Sequence, residues 1–175
     1  MESLAMTIRQ ADETDAAALA EIGARTFRLG CPPGTREEDL AAFIATELTP
    51  EKFREHLTNA DSTVFLAESQ RDLAGFLMLV ARSNHSLVQI KNPMEVRKLY
   101  VDPRHHGSGV AGALMQAALN IVGEQPCWLS VHSGNARAIA FYRKWGFNPI
   151  GTYHFVVGND PQEDYVMLRQ PDKTR

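Results

Sequence analysis

A glycine-rich turn between a strand and a helix restricts most strongly what this chain can fold into. The run 96–101 predicts a strand, and the apolar residues that follow the turn recur at the three- and four-residue spacing of one helix face. Those apolar residues are Val110, Ala113, Leu114, Ala117, Ala118 and Ile121. Between the two elements, Gly107 and Gly109 let the main chain approach a ligand closely. Because a helix N-terminus offers free N–H groups and the positive end of a dipole, this arrangement predicts a phosphate-binding site.

Two common phosphate-binding loops do not fit this turn. A P-loop needs Lys-Ser or Lys-Thr after its last glycine, where this chain has Ala111-Gly112-Ala113. A dinucleotide-binding fold places its glycine turn early in a βαβ unit, with an acidic residue about 20 residues further on. This turn lies past the middle of the chain, and no strand ending in Asp or Glu follows at the right place. The two patterns therefore give weak support to either loop.

The turn and a second segment together resemble a known family. Arg104, Gly107 and Gly109 fill the pattern Arg/Gln-x-x-Gly-x-Gly/Ala, which is similar to the coenzyme A pyrophosphate loop of the GCN5-related N-acetyltransferases (GNAT). The segment 129–147 resembles the later strand-helix block of that family. Its landmarks are Asn135, Ala138, Tyr142 and the pair Gly146-Phe147. Two blocks in the family's order, about 25 residues apart, are far more specific than a glycine turn alone.

The resemblance implies an α+β fold, the GNAT acyl-CoA N-acyltransferase fold, with a mixed central sheet of about seven strands flanked by about four to five helices. Local patterns predict elements in a compatible order. In chain order they are a strand at 6–9, a helix that ends near Phe27, a helix at 37–47, a helix that begins at Pro50, and a hairpin of 63–68 with 73–80. A strand at 95–101, a helix that begins at Val110, a strand at 127–131, a helix at 135–145 and strands at 150–157 and 164–169 follow. With no linker or internal repeat, residues 1–175 are expected to form a single acetyltransferase domain.

The resemblance also implies where acetyl-CoA binds. The glycine turn would hold the pyrophosphate on its backbone N–H groups. The strand before the turn would splay away from its neighbour, so that its backbone pairs with the pantetheine arm and the N–H of Val101 polarises the thioester carbonyl. The predicted coenzyme-binding residues are Leu99, Tyr100, Val101, Arg104, His106, Gly107, Ser108, Gly109, Val110, Ala111, Asn135, Ala138 and Tyr142.

Two side chains are predicted to be catalytic. A free alkylamine has a pKa near 10.4, so it needs a base to become a nucleophile at neutral pH. Glu95 stands at the start of the splayed strand, where many members of the family place a general base. The alternative is that Glu95 is a solvated glutamate at a strand end, without a catalytic role. Glu68 and the cluster 37–39 are other candidate bases. Tyr142 matches the tyrosine that faces the coenzyme sulfur in the family, which predicts a general acid; the alternative is a core tyrosine.

The acceptor is less constrained than the donor. In the family the acceptor site is built by the first helices and the last strand pair, here about 27–48 and 152–164. The acidic residues there either bind a cationic substrate or simply form a solvated surface. They are Glu37, Glu38, Asp39, Glu47, Glu163 and Asp164. A looser resemblance to bacterial PaiA-type polyamine acetyltransferases makes a small polyamine-like primary amine the first expectation. The alternatives are a protein or peptide N-acetyltransferase and a non-catalytic coenzyme A-binding regulatory module.

Composition limits the remaining classes. The formal net charge of −3 gives no basic footprint for nucleic acid. Cys31 and Cys127 are too few for a disulfide framework or a zinc site, and no metal is expected. The N-terminus lacks a secretory signal, and no apolar run reaches membrane-spanning length. The expected protein is cytoplasmic, a monomer or homodimer, with a small-molecule amine as its partner and neither a membrane nor a nucleic acid.

Overall fold

A seven-stranded mixed sheet with five α-helices forms the chain, as the computed structural model describes it for residues 5–70 and 72–171. The elements are β1 (Thr7–Gln10), α1 (Ala16–Gly30), α2 (Glu37–Glu47), α3 (Pro50–Thr58), β2 (Ser62–Ser69), β3 (Asp72–Val80), β4 (Met94–Val101), α4 (Val110–Val122), β5 (Cys127–His132), α5 (Ala136–Lys144), β6 (Asn148–Val157) and β7 (Asp160–Arg169). The predicted α+β fold is confirmed. Over the described residues, no helix is long and apolar enough to cross a membrane.

The strand order places one parallel pair at the centre of the sheet. The order is β1-β2-β3-β4-β5-β7-β6, and every neighbouring pair is antiparallel except β4 with β5. That parallel ladder is short, because only Met94 pairs with Cys127 and Glu95 with Trp128. Beyond Glu95 the two strands separate, which leaves a gap in the middle of the sheet.

Helices cover both faces of the sheet. Helix α4 packs against one face, where Val110 and Leu114 join the buried residues of β3, β4 and β5. Helices α1, α2 and α3 cover the other face, where Leu19, Phe43 and Phe53 are buried. Burial of these apolar side chains drives the three-layer packing, since each removes apolar surface from water.

The buried stripe of α4 differs from the one that the sequence spacing suggests. Ile121 is 46% exposed and Ala117 is only half-buried, whereas Met115, Leu119 and Val122 are buried. Apolar residues occupy most of the circumference of this helix, so more than one stripe satisfies the three- and four-residue spacing. Packing against the sheet selects the buried stripe, and Ile121 lies outside it.

The last two strands are longer than their local patterns predict. Strand β6 begins at Asn148 instead of residue 150, and β7 begins at Asp160 instead of residue 164. Val157 of β6 pairs with Asp160 of β7, so the antiparallel ladder extends both strands to a tight turn around Gly158. The extra pairing carries the end of this hairpin to α2, where the Asn159 N–H donates to Asp39 Oδ1 at 2.9 Å. The predicted domain, 1–175, reaches past the described residues at both ends.

Candidate active site

The separation of β4 from β5 opens a cleft of about 1350 Å³. A single small ligand usually occupies about 300–1,000 Å³, so this cleft has room for more than one substrate. Its lining comes from β4, the glycine turn, β5 and α5, and also from the ends of α1, α2 and the β6–β7 hairpin. These last elements include the segments 27–48 and 152–164, which the sequence predicts for an acceptor site.

Most of the predicted site residues line this one cleft. They are Glu95, Leu99, Tyr100, Val101, His106, Gly107, Gly109, Val110, Ala111, Asn135, Ala138 and Tyr142. Arg104 and Ser108 are not part of the lining. The Arg104 guanidinium binds Asp102 at 3.0 Å and borders a separate depression beside α1, and the Ser108 hydroxyl donates to the His105 carbonyl at 2.5 Å. The structure thus places the backbone of the turn, but not these two side chains, in the cleft.

The glycine turn has the backbone geometry that its sequence requires. Gly107 and Gly109 have φ values of +77° and +87°, in the left-handed region that strains any residue with a Cβ. No heavy atom lies within 4 Å of a Cβ built on either glycine, so the space beside the turn is open. Helix α4 begins at Val110, directly after the turn, and its first N–H groups have no partner within the helix. The turn therefore offers an open, donor-rich surface to an anion.

A buried carboxylate anchors the start of this turn. Asp102 is 2% exposed and accepts hydrogen bonds from the backbone N–H and the guanidinium of Arg104 and, at 2.6 Å, from Arg25 of α1. The Arg104 hydrogen bonds hold the pKa of Asp102 well below its usual range, although burial opposes the shift. The carboxylate thus stays charged at neutral pH and connects the turn to α1.

The sequence patterns missed an arginine at the glycine turn. Arg137, in the first turn of α5, donates to His106 Nδ1 at 2.9 Å, while His106 Nε2 lies 3.1 Å from the Val101 carbonyl oxygen. An imidazole with its proton on Nε2 satisfies both contacts. Arg137 lines the cleft and brings a cation to a turn whose own residues there are histidines. The only sequence signal is its place two residues after Asn135, in the second family block.

Strand β4 presents to the cleft a backbone edge that β5 does not pair, with the His106 ring 3.1 Å from the Val101 carbonyl oxygen. Leu99, Tyr100 and Val101 pair with β3 on one side but have no ladder partner in β5 on the other. Gly75 of β3 makes the β3–β4 approach close, because a Cβ there would lie 2.7 Å from the Tyr100 carbonyl oxygen. An unpaired strand edge can add an extended, amide-bearing chain as if it were another strand.

A β-bulge in β4 decides which side chains face the acceptor end of the cleft. Met78 pairs with Lys98 and Leu79 with Val96, so Arg97 is an extra residue in β4. Strict alternation would place Val96 with Lys98, but the bulge turns Val96 to the α4 face. Glu95 instead shares the face of Lys98 and Tyr100, toward α1, α2 and α3.

Glu95 is buried in the cleft wall. It is 8% exposed, so the interpretation as a solvated strand-end residue is wrong. Its Oε2 accepts from the Ser83 hydroxyl at 2.5 Å and from the Arg97 guanidinium at 2.8 and 3.1 Å. Among the described residues Oε1 has no hydrogen-bond donor, which leaves this oxygen for a proton or a water in the cleft.

The other carboxylates considered as bases, Glu68 and the cluster 37–39, lie outside the cleft. Glu68 binds Arg9 at 2.9 Å on the outer side of β2, and the acidic cluster 37–39 is engaged by arginines and the β6–β7 turn. The cleft is lined by Glu47, Glu95 and Asp164. Burial raises the pKa of Asp164 to about 6, which places its titration near neutrality.

Tyr142 combines a buried ring with a hydroxyl in the cleft. Its ring packs against Phe141 and Phe147, with centroids 5.5 and 6.2 Å apart. Burial raises the pKa of its phenol to about 12, so the proton stays on the oxygen at neutral pH. Among the described residues the hydroxyl has no hydrogen-bond partner. The side chain is therefore both a core residue and a free donor at the cleft.

Asn135 caps α5 beside the cleft. Its side-chain oxygen accepts from the Ala138 N–H at 3.1 Å, which satisfies one of the free donors at the helix start. Both residues line the cleft. Over residues 5–70 and 72–171, no group of three or more His, Cys, Asp or Glu side chains could hold a metal ion.

Comparisons with known proteins agree with this architecture. Residues 31–147 match the model of the acetyltransferase (GNAT) family. An uncharacterized N-acetyltransferase of Mycobacterium tuberculosis is 37% identical over 160 residues, which cover 90% of this chain and 98% of the relative. An uncharacterized N-acetyltransferase of Lactobacillus delbrueckii subsp. lactis is 23% identical over 165 residues, which cover 93% and 95% of the two chains.

Solved structures share the fold at low sequence identity. The PaiA N-acetyltransferase of Thermoplasma acidophilum, in complex with coenzyme A, superposes with a TM-score of 0.76 at 21% identity and covers 95% of this chain and 99% of its own. Naa50 of Arabidopsis thaliana, in complex with a bisubstrate analogue, gives a TM-score of 0.64 at 18% identity over 95% and 99% of the two chains. With the family match over 31–147 and the mycobacterial relative, these findings establish that the chain belongs to the GNAT family and is an N-acetyltransferase.

Proposed function

We propose that this chain transfers the acetyl group of acetyl-CoA to the primary amine of a small molecule, by direct attack in a ternary complex. The observation that carries the proposal is the cleft between β4 and β5, which is lined at one end by the glycine turn and at the other by α2, α3 and the β6–β7 hairpin. A donor held at the turn and an acceptor entering from the hairpin end would meet at the edge of β4 that β5 does not pair.

The donor half rests on backbone groups. The pyrophosphate would lie over the N–H groups between Gly107 and Ala111, with the Arg137 guanidinium beside it. The pantetheine amides would pair with that edge of β4, which directs the N–H of Val101 to the thioester carbonyl. Asn135 and Ala138 would border the pantetheine on the α5 side. Arg104 would act through Asp102 on the shape of the turn, because its side chain points away from the cleft.

The acyl half needs one base and one acid. Glu95 would take the proton of the acceptor ammonium through Oε1, directly or through a water, which frees the nitrogen lone pair. That nitrogen attacks the thioester carbonyl carbon, the C–N bond forms and the C–S bond breaks. Tyr142, as the acid, would donate a hydrogen bond to the departing thiolate, and the second proton of the attacking nitrogen, lost as the amide forms, converts that thiolate to the coenzyme thiol.

A polyamine-like amine is the first acceptor class to test, since Glu47 and Asp164 line the acceptor end and a solved PaiA enzyme shares the fold. Peptide acetylation is the alternative, since a solved neighbour is in complex with a peptide-bearing bisubstrate analogue. A non-catalytic coenzyme A-binding module is disfavoured by the placement of Glu95 and Tyr142 in one cleft.

The decisive experiment measures thiol release from acetyl-CoA with polyamines, amino acids, aminoglycosides and short peptides as acceptors, with product masses determined for each. We expect turnover with at least one small amine. Tight acetyl-CoA binding without turnover on any amine would refute the enzymatic proposal, and turnover confined to peptides would replace the small-molecule acceptor.

A further inference from the structure

Lys98 is a buried cation that the catalytic scheme does not use. It is 9% exposed, and its side chain runs from β4 toward α2 and lines the cleft. Its ammonium lies 6.0 Å from the ring centroids of Phe43 and Tyr100. Two aromatic faces stabilise a cation only weakly at this distance, and a buried charge normally has a hydrogen-bonded counterion.

The nearby carboxylates do not pair with Lys98. Glu95 is bound to Arg97 at 2.8 Å, and Glu47 makes no ion pair with Lys98 among the described residues. On α3, Lys52 also lines the cleft and contacts Glu55 at 3.4 Å. The Lys98 ammonium therefore faces the cleft without a partner.

Charged groups of both signs surround Lys98, with the carboxylates of Glu47 and Glu95 balanced against the cations of Arg97 and Lys52. Burial lowers the pKa of Lys98 to about 8; Glu47 and Glu95 oppose the shift, and Arg97 and Lys52 add to it. The pKa of His56 is lowered to about 4, by burial first and then by Lys98, Arg97 and Lys52. At pH 7 His56 is thus neutral and Lys98 is mostly charged, so an anion entering here gains a counterion.

We propose that the acceptor amine carries a carboxylate, which Lys98 binds at the α2–α3 end of the cleft while the amine reaches the thioester near Val101. This inference rests on the proposed function, keeps its small primary amine, and replaces the polyamine with an ω-amino acid as the acceptor to test. Lys98 and Val101 are three residues apart on an extended strand, so their Cα atoms lie about 10 Å apart. A carboxylate and a primary amine separated by about five methylene groups span much of that distance.

The test compares 6-aminohexanoate with its amide, 6-aminohexanamide, which has the same amine but no charge at the other end, and with spermidine. We expect kcat/KM to favour the acid over the amide by about tenfold to a hundredfold, the range of a charge-assisted hydrogen bond. Lys98→Met keeps the length of the side chain and removes the charge, so it should bring the acid-to-amide ratio close to one. Lys91→Met, an exposed lysine outside the cleft lining, should keep the ratio.

The wild-type protein provides a second readout if Lys98→Met does not fold. The acid-to-amide ratio should be high at pH 7 and fall as the pH rises through about 8, because Lys98 loses its proton there. His56 titrates near pH 4, outside this range. A ratio that does not change between pH 7 and 9 would overturn the inference, since both substrates share the same reacting amine.

The outcomes separate the two proposals. Acetylation of spermidine or of the amide without preference for the acid would overturn the carboxylate site and leave the acetyltransferase proposal standing. Equal losses with acid and amide in Lys98→Met would also overturn it, because they would mark a role in the chemical step. Acetyl-CoA binding with no acetylation of any amine would instead refute the proposed function itself.

Discussion

Tyr142→Phe tests how the leaving thiolate is stabilised. Burial raises the Tyr142 pKa to about 12, whereas an alkyl thiol has a pKa of about 8.5. Complete proton transfer from this phenol to the thiolate is therefore unfavourable by about 3.5 pKa units, on the order of 5 kcal/mol. Tyr142 therefore stabilises the transition state mainly through a hydrogen bond to the charged sulfur, which contributes about 1.5–3 kcal/mol. Its loss should lower kcat about tenfold to a hundredfold.

The assay is thiol release at saturating acceptor, with acetyl-CoA affinity measured separately by calorimetry. Tyr142→Phe should leave that affinity and the melting temperature nearly unchanged, because the hydroxyl has no partner among the described residues and the ring stays packed on Phe147. Tyr165→Phe is the matched control, since this tyrosine packs on the same core but does not line the cleft. An unchanged kcat in Tyr142→Phe would remove its acid role. A loss above about a thousandfold would refute the hydrogen-bond reasoning and require full proton transfer.

Three further changes test the other parts of the site. Gly109→Glu puts a side chain and a negative charge at a φ of +87°, so calorimetry should show loss of acetyl-CoA binding; retained affinity would mean that the turn does not hold the pyrophosphate. Glu95→Gln should lower kcat/KM about a hundredfold or more, and Asp164→Asn should lower kcat/KM much less. A larger loss in Asp164→Asn, together with a fall in wild-type activity below about pH 6, would assign the base to Asp164. Gly158→Ala should lower the free energy of unfolding in urea by about 2–4 kcal/mol, because the new Cβ would lie 2.5 Å from the α2 backbone at a φ of +60°. Gly30→Ala is the control, since nothing lies within 4 Å of a Cβ there, and it should not destabilise the fold. Equal stabilities of the two variants would contradict the packing argument.

The backbone features of the proposed donor end were predictable because they are local. The left-handed turn requires Gly107 and Gly109, and the start of α5 favours a capping residue such as Asn135. Each requirement concerns a few consecutive residues, so it can be recognised in the sequence. The fold was implied by the family resemblance of the same two blocks, and the order of the locally predicted elements was compatible with it. Arg104 shows the limit of such patterns. A motif position predicted it at the coenzyme, but the buried Asp102 draws its side chain to the other side of the turn.

The acceptor end was not predictable, because a single extra residue decides which side chains it contains. Period-two alternation along β4 would separate Glu95 from Lys98, and nothing in the run 94–101 marks Arg97 as the bulge. The bulge depends on the register with β3, which is set by packing across the whole sheet. Once it is present, a carboxylate and a buried ammonium share one face, three residues apart in the chain, at the mouth of the β4–β5 gap. The proposed base and the proposed counterion share a face because Arg97 is the extra residue. Deleting Arg97 leaves Glu95, Val96 and Lys98 in strict alternation with Glu95 and Lys98 still on one face, so the deletion variant should still acetylate its acceptor. Loss of turnover with acetyl-CoA binding intact would show that the Arg97 guanidinium on Glu95, and not the shared face, is what the reaction requires.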